Sequence, residues 1–188
     1  MVAFTRAELD AFRDTEVPDL YGEDLRLLFV GINPGLWTAA VQTHFAHPSN
    51  RFYPALYAAG IITEPIDPVT GMTAADREHF TGRGLGLTNL VRRATARADE
   101  LSPAELREGG KRLHAFVVER KPAVVAVAGI TAYRSAFKVP AAKPGRQPGV
   151  FGGAVLWVVP NPSGLNAHET AASLAAAYAE PAREAGVL

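Results

Sequence analysis

The chain has 188 residues, 48% of them apolar and 20% charged, and its 19 basic and 19 acidic side chains leave no formal net charge. That size and composition fit one globular domain with a sizeable core, and no apolar run reaches the roughly 18 residues needed to span a membrane. With no cysteine, disulfides, thiolate zinc sites, cysteine nucleophiles and thiolate-held iron–sulfur clusters are excluded. Thr5-Arg6-Ala7-Glu8 reads as a capping box that opens a short helix to about Arg13. Residues 1–16 form a short helical extension in this reading. Met1 to Arg6 lacks the basic-then-apolar layout of a signal peptide, so a cytoplasmic location is expected.

Leu25 to Gly31 is a nearly continuous apolar run and predicts a strand buried on both faces. Asn50 can cap a helix from Arg51 to Ala59 that Gly60 ends. Thr63 to Gly71 reads as a loop and a short helix follows Thr73. Gly86 to Val91 predicts a second strand. Ser102-Pro103-Ala104-Glu105 combines a cap, a first-turn proline and a capping-box acid. Leu106, Leu113, Phe116 and Val117 then share one stripe of a helix that Pro122 stops. Ala123–Ala128 and Ala154–Val159 predict two more strands, with a helix from about Thr131 to Phe137 and a Pro/Gly/Lys loop over 139–149 between them. A last helix runs from about Glu169 to Ala185, and Pro181 is expected to bend or end it.

Strands alternating with amphipathic helices indicate an α/β fold of three layers, with a mainly parallel four-stranded sheet between helices. Ligands bind such folds at the carboxyl ends of the strands. Two loops fall there. In Gly31-Ile32-Asn33-Pro34-Gly35 the glycines permit unusual backbone geometry and Pro34 biases Asn33 towards an extended conformation. The loop is either a plain turn or a rigid mount for a polar amide beside free N–H groups. In Pro160-Asn161-Pro162-Ser163-Gly164-Leu165-Asn166, two prolines stiffen a tip that carries a leucine. Leu165 either folds back onto the last helix or stands out as a wedge for base pairs. Between them, His44-Phe45-Ala46-His47-Pro48-Ser49-Asn50-Arg51-Phe52-Tyr53 mixes aromatic and polar residues, a composition suited to stacking on a flipped base. His44 and His47 have no carboxylate at ligand spacing, so a metal is not expected. Arg92, Arg93 and Arg97 form one basic patch, and Lys138, Lys143 and Arg146 another; both fit DNA contact or ordinary solvated surface.

Together these motifs resemble the mismatch-specific uracil-DNA glycosylases, a group that includes the thymine-DNA glycosylases. The carrying residues are Leu27–Leu36, Phe45–Phe52, Arg107–Arg112 and Pro160–Leu165, in order over about residues 17 to 185. The resemblance implies one uracil-DNA glycosylase domain over 1–188, cleaving the bond between base and deoxyribose in duplex DNA without metal or cofactor. It implies a monomer acting on a mispaired or damaged pyrimidine, at the bacterial nucleoid. Asn33 positions the attacking water by this resemblance. Gly31, Ile32, Phe45 and Asn161 bind the base. Ser163, Gly164, Leu165, Asn166 and Lys143 meet the DNA, with Leu165 filling the gap in the helix.

The sequence departs from that pattern at three places. Asn166, Ala167 and His168 follow the wedge leucine where bacterial relatives tend to carry an arginine. Asn89 stands where a lysine is frequent, and Asp99 stands where an amide is frequent. Asp99 is a second catalytic candidate, to activate water or stabilise a cationic sugar; the alternative is that Asp99 or Glu100 supports the helix start near Ser102. A non-catalytic nucleotide- or DNA-binding module on the same scaffold is the competing reading. No Gly-x-Ser-x-Gly elbow or P-loop supports a small-molecule hydrolase.

Overall fold

A computed structural model describes residues 4–188. Residues 1–3, part of the segment read above for a signal peptide and a helical extension, lie outside the described residues. The chain runs α1 (Arg6–Asp10), β1 (Leu27–Gly31), α2 (Leu36–Val41), α3 (Phe52–Ala58), α4 (Ala74–Gly82), β2 (Leu85–Asn89), α5 (Pro103–Arg120), β3 (Val124–Ala128), α6 (Ile130–Phe137), β4 (Gly145–Arg146), β5 (Val155–Val159) and α7 (Ala171–Glu184). The sheet has five strands in the order β2-β1-β3-β5-β4. All neighbours pair parallel except β4, which lies antiparallel on β5. The expected four strands are thus joined by a fifth. It spans two residues of the Pro/Gly/Lys loop, too few to leave a pattern in the sequence.

Successive side chains of a strand face opposite sides. Leu27 and Phe29 therefore pack with Phe52, Tyr53, Phe80, Leu174 and Tyr178 on one face, and Leu28 and Val30 with Leu106, Leu113, Val117 and Tyr133 on the other. Every residue of β1, β2 and β3 is buried. Each large apolar side chain so buried contributes about 1.5–3 kcal/mol. This is the three-layer α/β architecture expected.

Helix starts follow the capping signals. Thr5, Thr73, Ser102 and Thr170 each accept from the N3 backbone N–H, and each N3 side chain reaches back to the cap N–H. Asn50 Oδ1 accepts from Phe52 N–H at 2.9 Å, so it serves α3 from one residue outside the cap. Short α2 is unheralded, because its cap Gly35 has no side chain. Pro181 does not end α7, which continues to Glu184. The last turn closes through Ala185 N–H to Pro181 C=O.

The chain leaves β1 towards β2 on one side, and β3 pairs on the other. The crevice between the carboxyl ends of β1 and β3 is the switch point of the sheet, where open α/β folds hold ligands.

Candidate active site

A cavity of about 320 Å³ opens at that crevice. Its volume suits a small ligand. Gly31, Ile32, Asn33, Phe45, Asn161, Ser163, Gly164 and Leu165 all line it, so the fold brings most of the sequence-predicted residues together. Asn166 borders a neighbouring hollow that shares Ile32 and Asn161. Lys143 is exposed and lines neither. A larger hollow, about 460 Å³, lies over α5 and α6, and none of the sequence-predicted site residues lines it.

Asn33 is held from one end. Its Nδ2 donates to Thr95 Oγ1 at 2.7 Å and to the carbonyls of Arg93 and Pro34, both at 3.1 Å. Thr95 spends its own proton on Arg97 C=O at 2.8 Å, so its oxygen is left as an acceptor for Asn33. An amide with its donors so engaged has one orientation. Oδ1 has no partner among the described residues, and the residue lines the cavity. The site therefore presents a fixed acceptor at the strand end. Thr95 has no motif of its own in the sequence, and only its pairing with Asn33, 62 residues away, reveals it.

Phe45 has φ +57°, a left-handed conformation rare for a bulky residue. Its ring stacks on Phe52, with centroids 4.2 Å apart and 22° between planes. Such strain persists only where the surroundings hold it, and it concentrates at functional sites. Gly31 sits beneath. A Cβ there would come 2.3 Å from Asn89 Oδ1 and 3.3 Å from the tip of the Phe45 ring, so only glycine fits. Asn89 also lines the cavity, although the sequence marked it only as a departure. Its Nδ2 lies 3.0 Å from His44 Nδ1, and its Oδ1 has no partner among the described residues yet is not sealed from solvent.

The 160–166 loop forms the opposite wall. Asn161 Oδ1 accepts from Ser163 N–H at 3.0 Å, and Asn166 Nδ2 donates to Asn161 C=O at 3.1 Å. Gly164 presses on Ser49 so closely that a Cβ would lie 2.3 Å from its Oγ. Arg51 ties this loop down: its Nη2 donates to Ser163 and Asn166 carbonyls, both at 2.8 Å, and its Nη1 to Glu169 C=O. Leu165 is left 93% exposed. It does not fold back onto α7 but stands as a large apolar side chain at a stapled tip.

A family model described as the uracil DNA glycosylase superfamily matches residues 18–182. The chain belongs to the uracil DNA glycosylase superfamily. Members of this superfamily are DNA glycosylases, hydrolases that act on DNA. The fold is similar to a solution NMR structure from Methanosarcina acetivorans, described provisionally as a uracil DNA glycosylase. The TM-score is 0.60 at 16% identity, covering 89% of this chain and 98% of that one.

One catalytic candidate of this superfamily member does not reach the cavity. Asp99 lies in a 3-10 turn, Ala98–Glu100, with its side chain 63% exposed. Both its oxygens take Arg97 Nε at 3.1 Å and one takes Nη2 at 2.6 Å. The Arg97 guanidinium holds its carboxyl below the usual range. Ala96, Arg97 and Ala98 line the cavity but Asp99 does not. The structure thus places Asp99, read from the sequence as a candidate water activator, outside the cavity lining and paired with its neighbour two residues away. Nor does Asp99 cap α5, where Ser102 and Glu105 form the box. Asp99→Asn is expected to excise its substrate base within about twofold of the wild-type rate, since an exposed pair contributes little. Single-turnover cleavage checks this.

The Arg92, Arg93 and Arg97 patch is also neutralised in this glycosylase. Arg92 pairs with Asp19 at 2.9 Å, Arg93 with Glu105 at 2.6 Å and Asp14 at 3.1 Å, and Arg97 with Asp99. Arg93, then Ser102, pulls the Glu105 carboxyl down to about 2. Arg146 of the second patch pairs with Glu184 at 2.9 Å. Among the described residues no three His, Cys, Asp or Glu side chains cluster as metal ligands. His44 is buried, and His47 makes a 2.9 Å contact with Ser49 Oγ.

Proposed function

We propose that the protein excises uracil mispaired with guanine from duplex DNA, acting as a monofunctional glycosylase on an everted base and leaving an abasic site. One observation carries the reading: the Asn33 amide, fixed by three acceptors, holds an unpaired oxygen in a cavity beside the stacked Phe45 ring. An amide cannot remove a proton at neutral pH, but it can accept one hydrogen of a water and aim the oxygen at C1′. Positioning of this kind accounts for a large share of catalytic power.

The lining contains no Asp or Glu. Bond breaking therefore leads: the C1′–N1 bond cleaves and its electron pair leaves with the base, whose carbonyl oxygens gain charge. Donors aimed at that charge lower the barrier. The backbone N–H groups of Asn33 and Phe45 have no partner among the described residues, and both residues line the cavity. The water oxygen then bonds to the cationic C1′, and its proton passes through solvent to the departing base. No lysine lines the cavity, so no amine is placed to form a Schiff base with the abasic sugar. This supports the monofunctional reading. Mispaired bases also flip at lower cost, which favours uracil opposite guanine.

Incubation with a uracil·guanine duplex, followed by hot alkali, tests the proposal. Strand breakage at the uracil is expected. Retention of the duplex without breakage would establish a non-catalytic DNA-binding module instead. Duplexes with thymine or ethenocytosine opposite guanine extend the range. In the same assay Leu165→Ala, which truncates the exposed wedge, is expected to lower excision from duplex about tenfold or more and to leave single-stranded uracil almost unaffected, because unstacking costs a few kcal/mol only in the duplex. Its thermal midpoint should match wild type, since a side chain 93% exposed contributes no core packing.

A further inference from the structure

We propose that the arm Asp14–Glu16 is a positioning element for the reaction, because it holds the 93–95 segment in the register that fixes the Asn33 amide. This inference rests on the reading of Asn33 as the group that aims water. The arm precedes residue 18, where the match to the superfamily begins.

The arm is placed by its own sequence. Beyond α1, Asp14 takes φ +60°, a left-handed conformation that Asp and Asn adopt more readily than other side chains. That turn lays the next residues alongside 93–94. Asp14 N–H donates to Ala94 C=O and Ala94 N–H donates to Thr15 C=O, both at 3.0 Å. Glu16 and Arg93 pair antiparallel on the same edge. Leu9 and Phe12 pack against Val17, Leu36, Ala39 and Ala94, which fastens the arm to α2.

In an extended segment the N–H and C=O of one residue face one edge, and those of its neighbours face the other. Ala94 faces the arm, so Arg93 and Thr95 turn their backbone groups towards the Asn33 loop. Arg93 C=O and Thr95 Oγ1 accept from Asn33 Nδ2. Thr95 N–H donates at 3.1 Å to Pro34 C=O, the third acceptor of that amide. All three groups that orient Asn33 are thus tied to a segment that the arm grips from behind. A misplacement of about 1 Å far from the chemistry can cost on the order of a hundredfold in rate. Loosening the arm therefore reaches the reaction without altering any residue of the cavity wall.

The test is single-turnover excision of uracil opposite guanine over a range of enzyme concentrations, which separates the maximal rate from the half-saturating concentration. The double variant Phe12→Ser with Asp14→Val removes an apolar anchor and puts a β-branched residue at a left-handed position. Its maximal rate is expected to fall about tenfold to a hundredfold, with the half-saturating concentration within about twofold of wild type. Asp14→Gly keeps the turn and loses only the exposed pair with Arg93, so its rate is expected to stay within about twofold of wild type. An unchanged maximal rate in the double variant overturns the inference. A fall in Asp14→Gly as large as in the double variant also overturns it, by moving the role to the ion pair. The two substitutions are then placed in Asn33→Ala. A positioning role predicts no further loss there, because the group being positioned is gone. A further loss of the same size reveals a merely structural role and overturns the inference. Wild type that excises no uracil, or Asn33→Ala that cuts at the wild-type rate, would instead sink the reading on which the inference rests.

Discussion

Asn33→Ala is expected to lower single-turnover excision of uracil by about 10²–10³-fold while leaving duplex affinity close to wild type. The amide oxygen has no structural partner to lose, since the hydrogen bonds of Asn33 all run through its nitrogen. Removing the side chain deletes the acceptor that orients water and frees Thr95 Oγ1 and Arg93 C=O to bind solvent. Loss of the Nδ2 bonds costs roughly 0.5–1.5 kcal/mol each in a part-buried setting, so the fold survives. Asn33→Asp separates the two functions of the amide. It keeps an oxygen in the cavity but places a carboxylate against Arg93 C=O and Thr95 Oγ1, which no longer meet a donor. An Asn33→Ala rate within about tenfold of wild type would show that water is positioned elsewhere.

Arg51→Ala is expected to be the most damaging change outside the cavity wall. Its guanidinium donates to three carbonyls of the 163–169 segment, and its backbone N–H donates to a fourth, Pro162 C=O, at 3.0 Å. Hydrogen bonds from a charged donor contribute about 1.5–3 kcal/mol each, and the orphaned carbonyls would have to find water. Stability should fall by roughly 2–4 kcal/mol, read as a lower denaturation midpoint. Excision should fall about a hundredfold, because Leu165 and Ser163 are no longer held over the cavity. Lysine cannot replace the fork, so Arg51→Lys should recover little. Leu165→Ala provides the contrast: it alters duplex excision and leaves the denaturation midpoint in place. If Arg51→Ala matched Leu165→Ala in both readouts, the staple would be irrelevant to stability.

The sequence revealed what depends on chemistry close together along the chain. Capping boxes at Thr5 and Ser102 are local and appear as written. The glycine and proline pattern around Asn33 and around Ser163 identified the two loops, because backbone restriction is a property of single residues. The pairings that complete the site are not local. Thr95 meets Asn33 across 62 residues, Asn89 meets His44 across 45, and Arg51 meets Ser163 across 112. Nothing in the sequence of either partner announces the other. Asp99 shows the reverse case. Its type and position invited a catalytic role, yet Arg97 lies close enough to take its charge. Leu165 was ambiguous because loop tip and core edge look alike until Arg51 fixes which way the loop stands.

The internal pairing of arginines bears on how the protein travels along undamaged DNA. Arg92, Arg93 and Arg97 spend their charge on Asp19, Glu105, Asp14 and Asp99, and the chain has no net charge. Non-specific affinity for a duplex grows with the number of phosphates neutralised, and each adds about 0.9 to the salt slope. With these three arginines paired, phosphate contact falls to basic side chains outside the patch, Lys138 and Lys143 among them, and the salt slope of non-specific binding is expected to count those residues.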